Sequence, residues 1–350
     1  MNFGYKKNLI FWGSPPPPIG GMSVHIHRLS IHLKSKKWSV YFYNFTKIDR
    51  ADDKTLNVKN LFLWYLSLWF TKTPKIHYVI TTRPYVRLLA SLITLIGKKV
   101  ILREGGRDLK RTSEKNFLNK VMNILSLKLC TSFIGVNKEI CNYANLYISK
   151  KKIYNIPGFI IPPNEKIKCP TKIIDFFQKK SMRIVVCGQI FAKEKEDIYG
   201  LWDILKCIKL LKSENQIKNV KCVIILYQSL GINSSEINKF KEFIFQNNLE
   251  DYLLIFHSKN QLWPILKESN IFIRSSITDG DANSIREANH FNNFVIASDC
   301  VPRPKFCTLY KTNDVFDLAE KIKNFRKKKM KSYPSKNDNV EKIEKLLKSL

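Results

Sequence analysis

Residues Ile271–Pro304 read IFIRSSITDGDANSIREANHFNNFVIASDCVPRP. An apolar strand-like run, a polar loop, a helix-like run and a second apolar run follow one another, which predicts a strand–helix–strand unit of a parallel sheet. The loop carries Asp279 and Asp281 just beyond the first strand, and Glu287 falls one turn into the helix. Ligands of open parallel sheets bind at the carboxyl ends of the strands, so this stretch predicts a fold class together with a binding site.

The same alternation of strand-like and helix-like segments continues through the rest of the chain. We therefore expect an α/β protein of two Rossmann-like domains that face each other across a cleft. The expected divisions are an N-terminal domain at 1–162, a proline- and charge-containing linker at 163–180, a C-terminal domain at 181–330, and a basic tail with a final helix at 331–350.

The charge of the chain favours polyanionic partners. Of its 350 residues, 60 are Lys or Arg and 29 are Asp or Glu, which gives a formal net charge of +31. Nucleic acid, an anionic membrane or a phosphate-bearing substrate would suit such a surface. A solvated lysine surface and the Lys-, Ile- and Asn-rich composition of an A+T-rich genome remain open as explanations. Zinc-finger, RNP and basic-helix signatures are absent, so nucleic acid is not an expected partner.

Cysteine usage and hydropathy predict a cytoplasmic protein. The eight cysteines form no C-x-x-C pair and several lie in apolar runs, which is typical of reduced, buried thiols. The N-terminal apolar run is too short for a signal peptide, and no run is long enough to span a membrane. Leu61–Phe70 (LFLWYLSLWF), with Lys59, Lys72 and Lys75 around it, is either a core helix or a helix that lies on the inner face of the cell membrane.

The acidic loop admits three interpretations. The N–H groups of Ser284 and Ile285 lie near a helix N-terminus, where they favour a diphosphate, while a neighbouring carboxylate accepts hydrogen bonds from sugar hydroxyls. Ser284-x-x-Glu287 also fits a capping box, which would make Glu287 structural. Asp279-Gly280-Asp281 is a D-x-D pair of the kind that holds a divalent metal, although the partner Glu287 argues against that interpretation.

A second loop, Gly13–Gly21 (GSPPPPIGG), follows the first strand and precedes the first helix. Its glycines allow close approach of a ligand, and the helix N-terminus offers N–H groups to a phosphate. A plain tight turn is the alternative. His25, His27 and His257 have no metal-ligand spacing, so no metal site is predicted.

Ile271–Pro304 resembles the donor-site signature of family-four glycosyltransferases, in which an acid, seven residues and a glutamate precede a strand. Gly20-Gly21 resembles the family's N-terminal glycine loop, Asn155–Gly158 the end of its first domain, and Gly188–Lys195 its phosphate loop. Three departures stand out: Asp279 replaces the usual Glu, Gln189 replaces an Arg, and Glu104-Gly105-Gly106 replaces His-Gly-Gly.

The resemblance implies the GT-B glycosyltransferase architecture and a hexosyltransferase that uses a nucleotide-sugar donor without a metal or other cofactor, with retention of anomeric configuration. Glu287 would hold the ribose, Asp279 the donor sugar, and Lys193 or Lys195 the phosphates. Asp279 and Glu104 are the implied catalytic residues. The implied donor-binding residues are Gly20, Gly21, Gln189, Lys193, Lys195, Asp279, Gly280, Asp281, Asn283, Ser284, Ile285 and Glu287.

The expected acceptor is a cell-surface saccharide or a polyprenyl-phosphate-linked oligosaccharide on the first domain. The arginines at its strand ends suit an acceptor phosphate, although surface salt bridges are an equal explanation. The expected acceptor-binding residues are His25, Arg83, Arg103 and Arg107. Gln189 and Glu104 also leave open a catalytically silent relative that acts as a partner protein.

Overall fold

A computed structural model describes residues 7–17, 19–45, 49–70, 74–106, 108–163, 166–177, 181–190, 197–214, 219–227, 234–327 and 338–350. The chain forms two compact units. The first unit comprises Met1–Pro163 and Asn337–Leu350, and the second comprises Asn164–Lys336. Each unit has a parallel sheet with helices packed on its two faces.

The first unit begins with seven strands, six helices and two 3-10 turns in the described residues. In chain order they are β1 (Asn8–Trp12), α1 (Gly21–Ser35), β2 (Ser39–Asn44), β3 (Thr55–Asn57), α2 (Leu61–Phe70), β4 (Ile76–Ile80), α3 (Pro84–Leu92), a 3-10 turn (Ile93–Ile96), β5 (Lys99–Glu104), α4 (Asp108–Lys115), α5 (Phe117–Leu129), β6 (Ser132–Gly135), α6 (Lys138–Asn145), a 3-10 turn (Lys150–Lys152) and β7 (Ile153–Asn155). The sheet order is β3-β2-β1-β4-β5-β6-β7, and every pair is parallel.

The second unit repeats this plan with six parallel strands. Its elements are α7 (Thr171–Phe176), β8 (Met182–Gly188), α8 (Leu201–Ser213), β9 (Val220–Tyr227), α9 (Ser234–Gln246), β10 (Leu253–Ser258), α10 (Trp263–Lys267), β11 (Ile271–Arg274), α11 (Asn283–His290), β12 (Phe294–Ser298), β13 (Thr308–Tyr310), α12 (Val315–Lys323) and a 3-10 turn (Asn324–Lys327). The sheet order is β10-β9-β8-β11-β12-β13. The central strands of this sheet, β8 and β9, are apolar runs because helices cover both faces of the sheet.

The chain returns to the first unit with α13 (Asn339–Lys348). Ile343 and Leu347 of α13 pack with Ile26 and Leu29 of α1 on one face of the sheet. The apolar sides of α2, α3 and α5 cover the other face. The final helix, which the sequence analysis set apart as part of a tail, is therefore a layer of the N-terminal unit.

The predicted α/β class and two Rossmann-like sheets are confirmed. The segment 163–180, predicted as a linker, contains α7, whose Ile173 is buried in the core of the second unit. α4 and α5 are separate helices, because the side chain of Asn116 accepts the Leu118 N–H and begins a new helix. No helix in the described part of the chain is long and apolar enough to cross a membrane.

Candidate functional site

The second sheet has a topological switch between β8 and β11, where its strand order reverses. In open α/β sheets ligands bind at the carboxyl ends of the strands beside such a switch. The loop after β11 and α11 contain seven of the twelve predicted donor-binding residues, and Gln189 follows β8. The predicted donor site therefore falls at the sheet edge where such folds bind their ligands.

The loops after β8 and β11 contact each other directly beyond the ends of their strands. The Ser275 hydroxyl donates to the Tyr199 carbonyl at 2.8 Å, and the Ile277 N–H donates to the Ile198 carbonyl at 3.0 Å. Gly200 has a φ of 62°, and a Cβ atom there would lie 2.1 Å from the Ser275 carbonyl oxygen. Glycine is required at this position by both the left-handed backbone and the close approach.

Asp279 lies at the centre of a buried cluster of hydrogen bonds. Arg274 donates to both of its oxygens, from Nε to Oδ2 at 2.9 Å and from Nη2 to Oδ1 at 3.2 Å. Arg303 Nη1 and the Ser276 hydroxyl donate to Oδ2 at 2.9 Å and 3.1 Å, and the Gly280 N–H donates to Oδ1 at 3.0 Å. Five donors of the protein thus occupy the oxygens that the resemblance assigned to the donor sugar.

The two guanidinium groups decide the protonation state of Asp279. Burial by itself would raise the pKa of this carboxyl, but Arg274 and then Arg303 outweigh burial and lower the pKa to about 2. The carboxylate is therefore ionised at any physiological pH. Since two arginines face one carboxylate, the cluster keeps one excess positive charge, and Arg274 also stacks over the Tyr199 ring at 5.1 Å.

Asp281 is paired as well, and this bears on the D-x-D interpretation. Arg286 Nε lies 2.9 Å and 3.0 Å from the two oxygens of Asp281, whose side chain is only 8% exposed. With Asp279 and Asp281 both bound to arginines, the pair does not fit a divalent cation, which needs their oxygens. Within the described ranges, no group of three or more His, Cys, Asp or Glu side chains is arranged to hold a metal ion.

Glu287 is buried in α11 with 5% of its surface exposed. The helix is capped by Ala282, whose side chain makes no capping bond, and it begins at Asn283. Ser284 therefore lies inside the helix, and the capping-box interpretation of Ser284 and Glu287 is wrong. Cys187, near the end of β8, interacts with both Ser284 and Glu287, so Glu287 lies beside the switch between β8 and β11.

The other predicted donor-binding residues differ in whether their polar groups are accessible to a ligand. The Ile285 N–H already donates to the Ala282 carbonyl at 3.1 Å, and its side chain is in the core, so it does not offer the expected amide to an anion. Gln189 and Asn283 are partly exposed near the ends of β8 and α11. Lys193 and Lys195 lie outside the described residues.

The first sheet has its own switch between β1 and β4, and the glycine loop follows β1. Arg50 donates to the carbonyls of Pro15, Pro16 and Pro17 and fixes the course of this loop. Gly20 precedes α1 in extended backbone, and a Cβ atom there would have nothing within 4 Å. Gly20 and Gly21 are exposed, and the Gly20 N–H already donates to the Ser23 hydroxyl at 3.1 Å.

His25 is an internal residue of the first unit with 3% exposure. Its Nδ1 lies 2.9 Å from the Gly158 carbonyl and its Nε2 3.2 Å from the Tyr78 hydroxyl. Burial and then the charge of Arg103 lower the pKa of His25, so the ring is neutral. Nδ1 carries the proton because a carbonyl only accepts, and Nε2 accepts from Tyr78.

Arg103 is equally internal, with 4% exposure. It donates to the Ile156 carbonyl at 3.1 Å, and Arg28 donates to the Ile160 carbonyl at 2.9 Å. Asn339 of α13 donates to the Phe159 carbonyl at 2.8 Å. Together with His25, these side chains hold the backbone of residues 156–160, which occupies the groups expected to bind an acceptor.

Glu104 ends β5 and is buried against Arg87, whose Nη2 lies 2.8 Å from Oε2. Asn123 accepts from Arg87 at 2.9 Å on the other side. Burial raises the pKa of Glu104 to about 7, against the lowering effect of Arg87, and the nearby Asp108 adds to the rise. Glu104 thus lies within an internal network at the expected strand end.

Of the remaining acceptor candidates, Arg83 is exposed at the start of α3, where Nη1 donates to the Tyr85 hydroxyl at 3.3 Å. Arg107 lies outside the described residues.

Sequence reasoning missed Arg274, Arg303 and Arg87, which organise the buried carboxylates. A usable signal was their position, since Arg274 ends β11 and Arg303 follows the neighbouring β12.

Solved structures similar to this chain include a UDP-bound protein, a glycosyltransferase and a sucrose-phosphate synthase. HepE of Anabaena in complex with UDP and glucose is 11% identical over 98% of this chain and 100% of its own, with a TM-score of 0.71. WaaG, a glycosyltransferase involved in lipopolysaccharide biosynthesis, is 11% identical over 97% and 99%, with a TM-score of 0.68. Sucrose-phosphate synthase of Thermosynechococcus elongatus is 13% identical over 98% and 95%, with a TM-score of 0.65.

The chain has the GT-B fold. The expectation that the resemblance carried for the architecture is confirmed by these similarities, which extend over nearly the whole length of the compared chains. No family model matches the sequence, and no curated protein matches it significantly. At 11 to 13% identity, the similarity establishes the fold, and the chemistry has to be argued from the site.

Proposed function

We propose that the protein is a glycosyltransferase that moves a hexosyl group from a nucleoside diphosphate sugar to a saccharide or lipid-linked saccharide of the cell surface. The observation that carries this proposal is the position of Glu287, buried in α11 beside the switch between β8 and β11. A buried carboxylate there is suited to accept hydrogen bonds from ribose hydroxyls. The GT-B fold shared with a UDP-bound protein supports the same ligand class.

In the proposed reaction, the bond from the anomeric carbon to the diphosphate breaks and a bond to an acceptor hydroxyl oxygen forms. The acceptor proton leaves with the diphosphate, whose growing negative charge must be stabilised. The excess positive charge of Arg274 and Arg303 around Asp279 is close to the switch and supports this task without a metal. Asp279 then acts as a positioning residue that orients Arg274 toward the site. We also propose that the reaction retains the anomeric configuration and that the protein is cytoplasmic. Lys193 or Lys195 would be a further ligand of the phosphates.

The first test is a thermal-shift screen of the whole protein with UDP, GDP, ADP and their common sugar conjugates, with and without EDTA. A ligand that binds only the native state raises the melting temperature. We expect one nucleotide class to raise it, with no effect of EDTA. A shift that EDTA abolishes would contradict metal independence, and no shift with any donor would contradict the proposal.

Glu287→Gln tests the site itself. We expect this variant to bind the nucleotide about 10- to 100-fold more weakly, as for loss of hydrogen bonds to a charged group, while its melting temperature stays near that of the wild type. Glu242→Gln, at an exposed position of α9, is the matched control and should bind normally. Equal nucleotide affinity in both variants would remove Glu287 from the site.

A catalytically silent partner protein is the second candidate, and the full occupation of Asp279 by internal donors favours it. It predicts nucleotide binding with neither sugar transfer nor slow hydrolysis of the donor. Release of nucleoside diphosphate in the presence of a saccharide acceptor distinguishes the enzyme from this candidate.

A further inference from the structure

The outer face of α2 is an apolar surface that the described residues leave uncovered. Its inner side chains, Trp64 and Leu68, are buried, and Trp64 lies 4.9 Å from both Trp12 and Tyr43 between ring centroids. The outer side chains are all large and apolar, apart from Ser67. They are Phe62, Leu63, Leu66, Trp69 and Phe70, with exposures of 69%, 62%, 41%, 38% and 87%.

These five side chains form one stripe. Positions 62, 66, 69 and 70 recur at the three- and four-residue spacing that places side chains on the same side of a helix, and 63 adjoins them. Leu95, in the 3-10 turn that packs beside α2, is 65% exposed. Single exposed apolar residues are ordinary, but a contiguous patch of this size marks a surface for another apolar phase.

The charge around α2 indicates which phase that is. The helix has no charged residue. Exposed lysines lie on both sides of it in the chain, at Lys59, which forms an exposed ion pair with Asp49 at 3.2 Å, and at Lys75. Lys98 and Lys99 lie in the same part of the unit, because the Lys99 N–H donates to the Lys75 carbonyl at 2.7 Å. Burial and the charge of Lys75 lower the pKa of Lys98, so ammonium groups are close together here.

We propose that the outer face of α2 docks the protein on an anionic lipid bilayer, with Phe62, Leu66 and Phe70 among the acyl chains near the surface and the lysines against the headgroups. A ten-residue helix is too short to span a bilayer but suits the interface. A second copy of the chain fits less well, because a symmetric contact would bring equal lysine clusters together. Each lysine near an anionic surface contributes favourably, whereas the symmetric contact brings repulsion.

The docking is independent of the proposed transferase activity. Vesicles of phosphatidylcholine alone and vesicles that also contain phosphatidylglycerol are sedimented with the whole protein. We expect binding to the anionic vesicles that weakens as salt is raised, and little binding to the neutral ones. The double variant Phe62→Ser, Phe70→Ser should lose at least about tenfold in vesicle affinity.

Phe245→Ser, Phe316→Ser is the matched control, since these phenylalanines are 74% and 71% exposed on the second unit. It should bind vesicles like the wild type. Both double variants should keep the wild-type melting temperature and nucleotide shift, which separates docking from donor binding. Equal vesicle binding by the two variants overturns the proposal. So does a wild-type dimer that the α2 substitutions dissociate in the absence of vesicle binding.

Discussion

A buried carboxylate beside arginine lies at the carboxyl edge of each sheet, and these two carboxylates, Asp279 and Glu104, differ in proton affinity. In the second unit, Arg274 and Arg303 together outweigh burial and hold the pKa of Asp279 at about 2. In the first unit, burial outweighs the single partner Arg87 and raises the pKa of Glu104 to about 7. The comparison shows that the charge of such a group is set by the balance between burial, which favours the neutral form, and the number of neighbouring cations.

This difference in proton affinity gives the two sheet edges different chemical properties. The Asp279 cluster keeps a fixed charge and a fixed geometry around an excess cation, which suits an anion such as a diphosphate. The Glu104 network gains or loses a proton near neutral pH and holds the start of α4, because the N–H groups of Gly106 and Leu109 donate to Glu104.

Asp279→Asn should have the largest effect. It leaves two buried guanidinium groups facing a neutral amide, and loss of one partner of a buried pair costs about 3 to 5 kcal/mol. Urea unfolding at pH 7 measures this loss. The control is Asp281→Asn, because its partner Arg286 is 30% exposed and can be solvated. If both variants unfold at the same urea concentration, Asp279 is not the centre of its cluster.

The pH dependence of stability should separate the two carboxylates next. The folded pKa of Glu104, about 7, lies above its ordinary value of 4.5. Its contribution is therefore full below about pH 4.5 and is lost as the pH rises through 7, by about 3 kcal/mol in total. The stability of Glu104→Gln relative to the wild type should therefore rise by this amount between about pH 4.5 and 7.

Asp279 has the opposite sign, because its folded pKa of about 2 lies below the ordinary value of 3.8. Its contribution, about 2 kcal/mol, is present above pH 4 and is lost as the pH falls through 2. Chemical unfolding at a series of pH values measures both losses of stability, the one at Glu104 as the pH rises and the one at Asp279 as the pH falls. A difference in stability between the wild type and Glu104→Gln that stays constant from pH 5 to 8 would contradict the shift at Glu104.

Two glycines sharpen the comparison further. Gly200→Ala should cost about 2 to 3 kcal/mol, because it combines a left-handed backbone with a Cβ atom 2.1 Å from the Ser275 carbonyl. Gly106→Ala, beside Glu104, meets only Asp108 Oδ2 at 3.5 Å and should be tolerated. Thermal unfolding of the two variants measures the difference, and similar melting temperatures would show that the loops of the second unit can separate.

Ser276→Ala should have the smallest effect. It removes one of five hydrogen bonds to Asp279 from a residue with no exposed surface, at a cost of about 1 kcal/mol. Unfolding in urea measures this cost, and nucleotide affinity should change little. A loss as large as that of Asp279→Asn would mean that Ser276, and not the arginines, holds the carboxylate in place.

Local sequence patterns predicted the strands, loops and helices, whose formation depends mainly on residues that are close together in the chain. Apolar runs located the central strands, and the spacing of Asp279 and Glu287 located a loop and helix at the correct edge of the second sheet. The same patterns could not reveal that Arg303, 24 residues after Asp279, returns to it from the next strand. The strands β3 and β13 have three residues each, which is too short for an alternating pattern to identify a strand.

Burial was the second limit of the prediction. His25 follows the glycine loop closely, which suggested a role in ligand binding, but its acceptor at Gly158 is 133 residues away. The fold of the first unit brings α1 next to the segment that contains Gly158, although the two are far apart in the sequence. Polar residues at a strand end therefore predict the edge correctly, but whether they face a ligand or the interior depends on contacts between distant segments.

The placement of α13 has a consequence for biosynthesis. The first unit is translated before the second, yet α13, which packs with α1 on one face of its sheet, is translated after the second unit. The carbonyl of Phe159 accepts its hydrogen bond from Asn339, 180 residues later in the chain. The second unit can fold during synthesis as a continuous stretch, whereas the first completes its packing only once α13 has been made. A ribosome that stops before α13 therefore releases a chain whose first unit has a partly uncovered apolar face, which quality control can recognise.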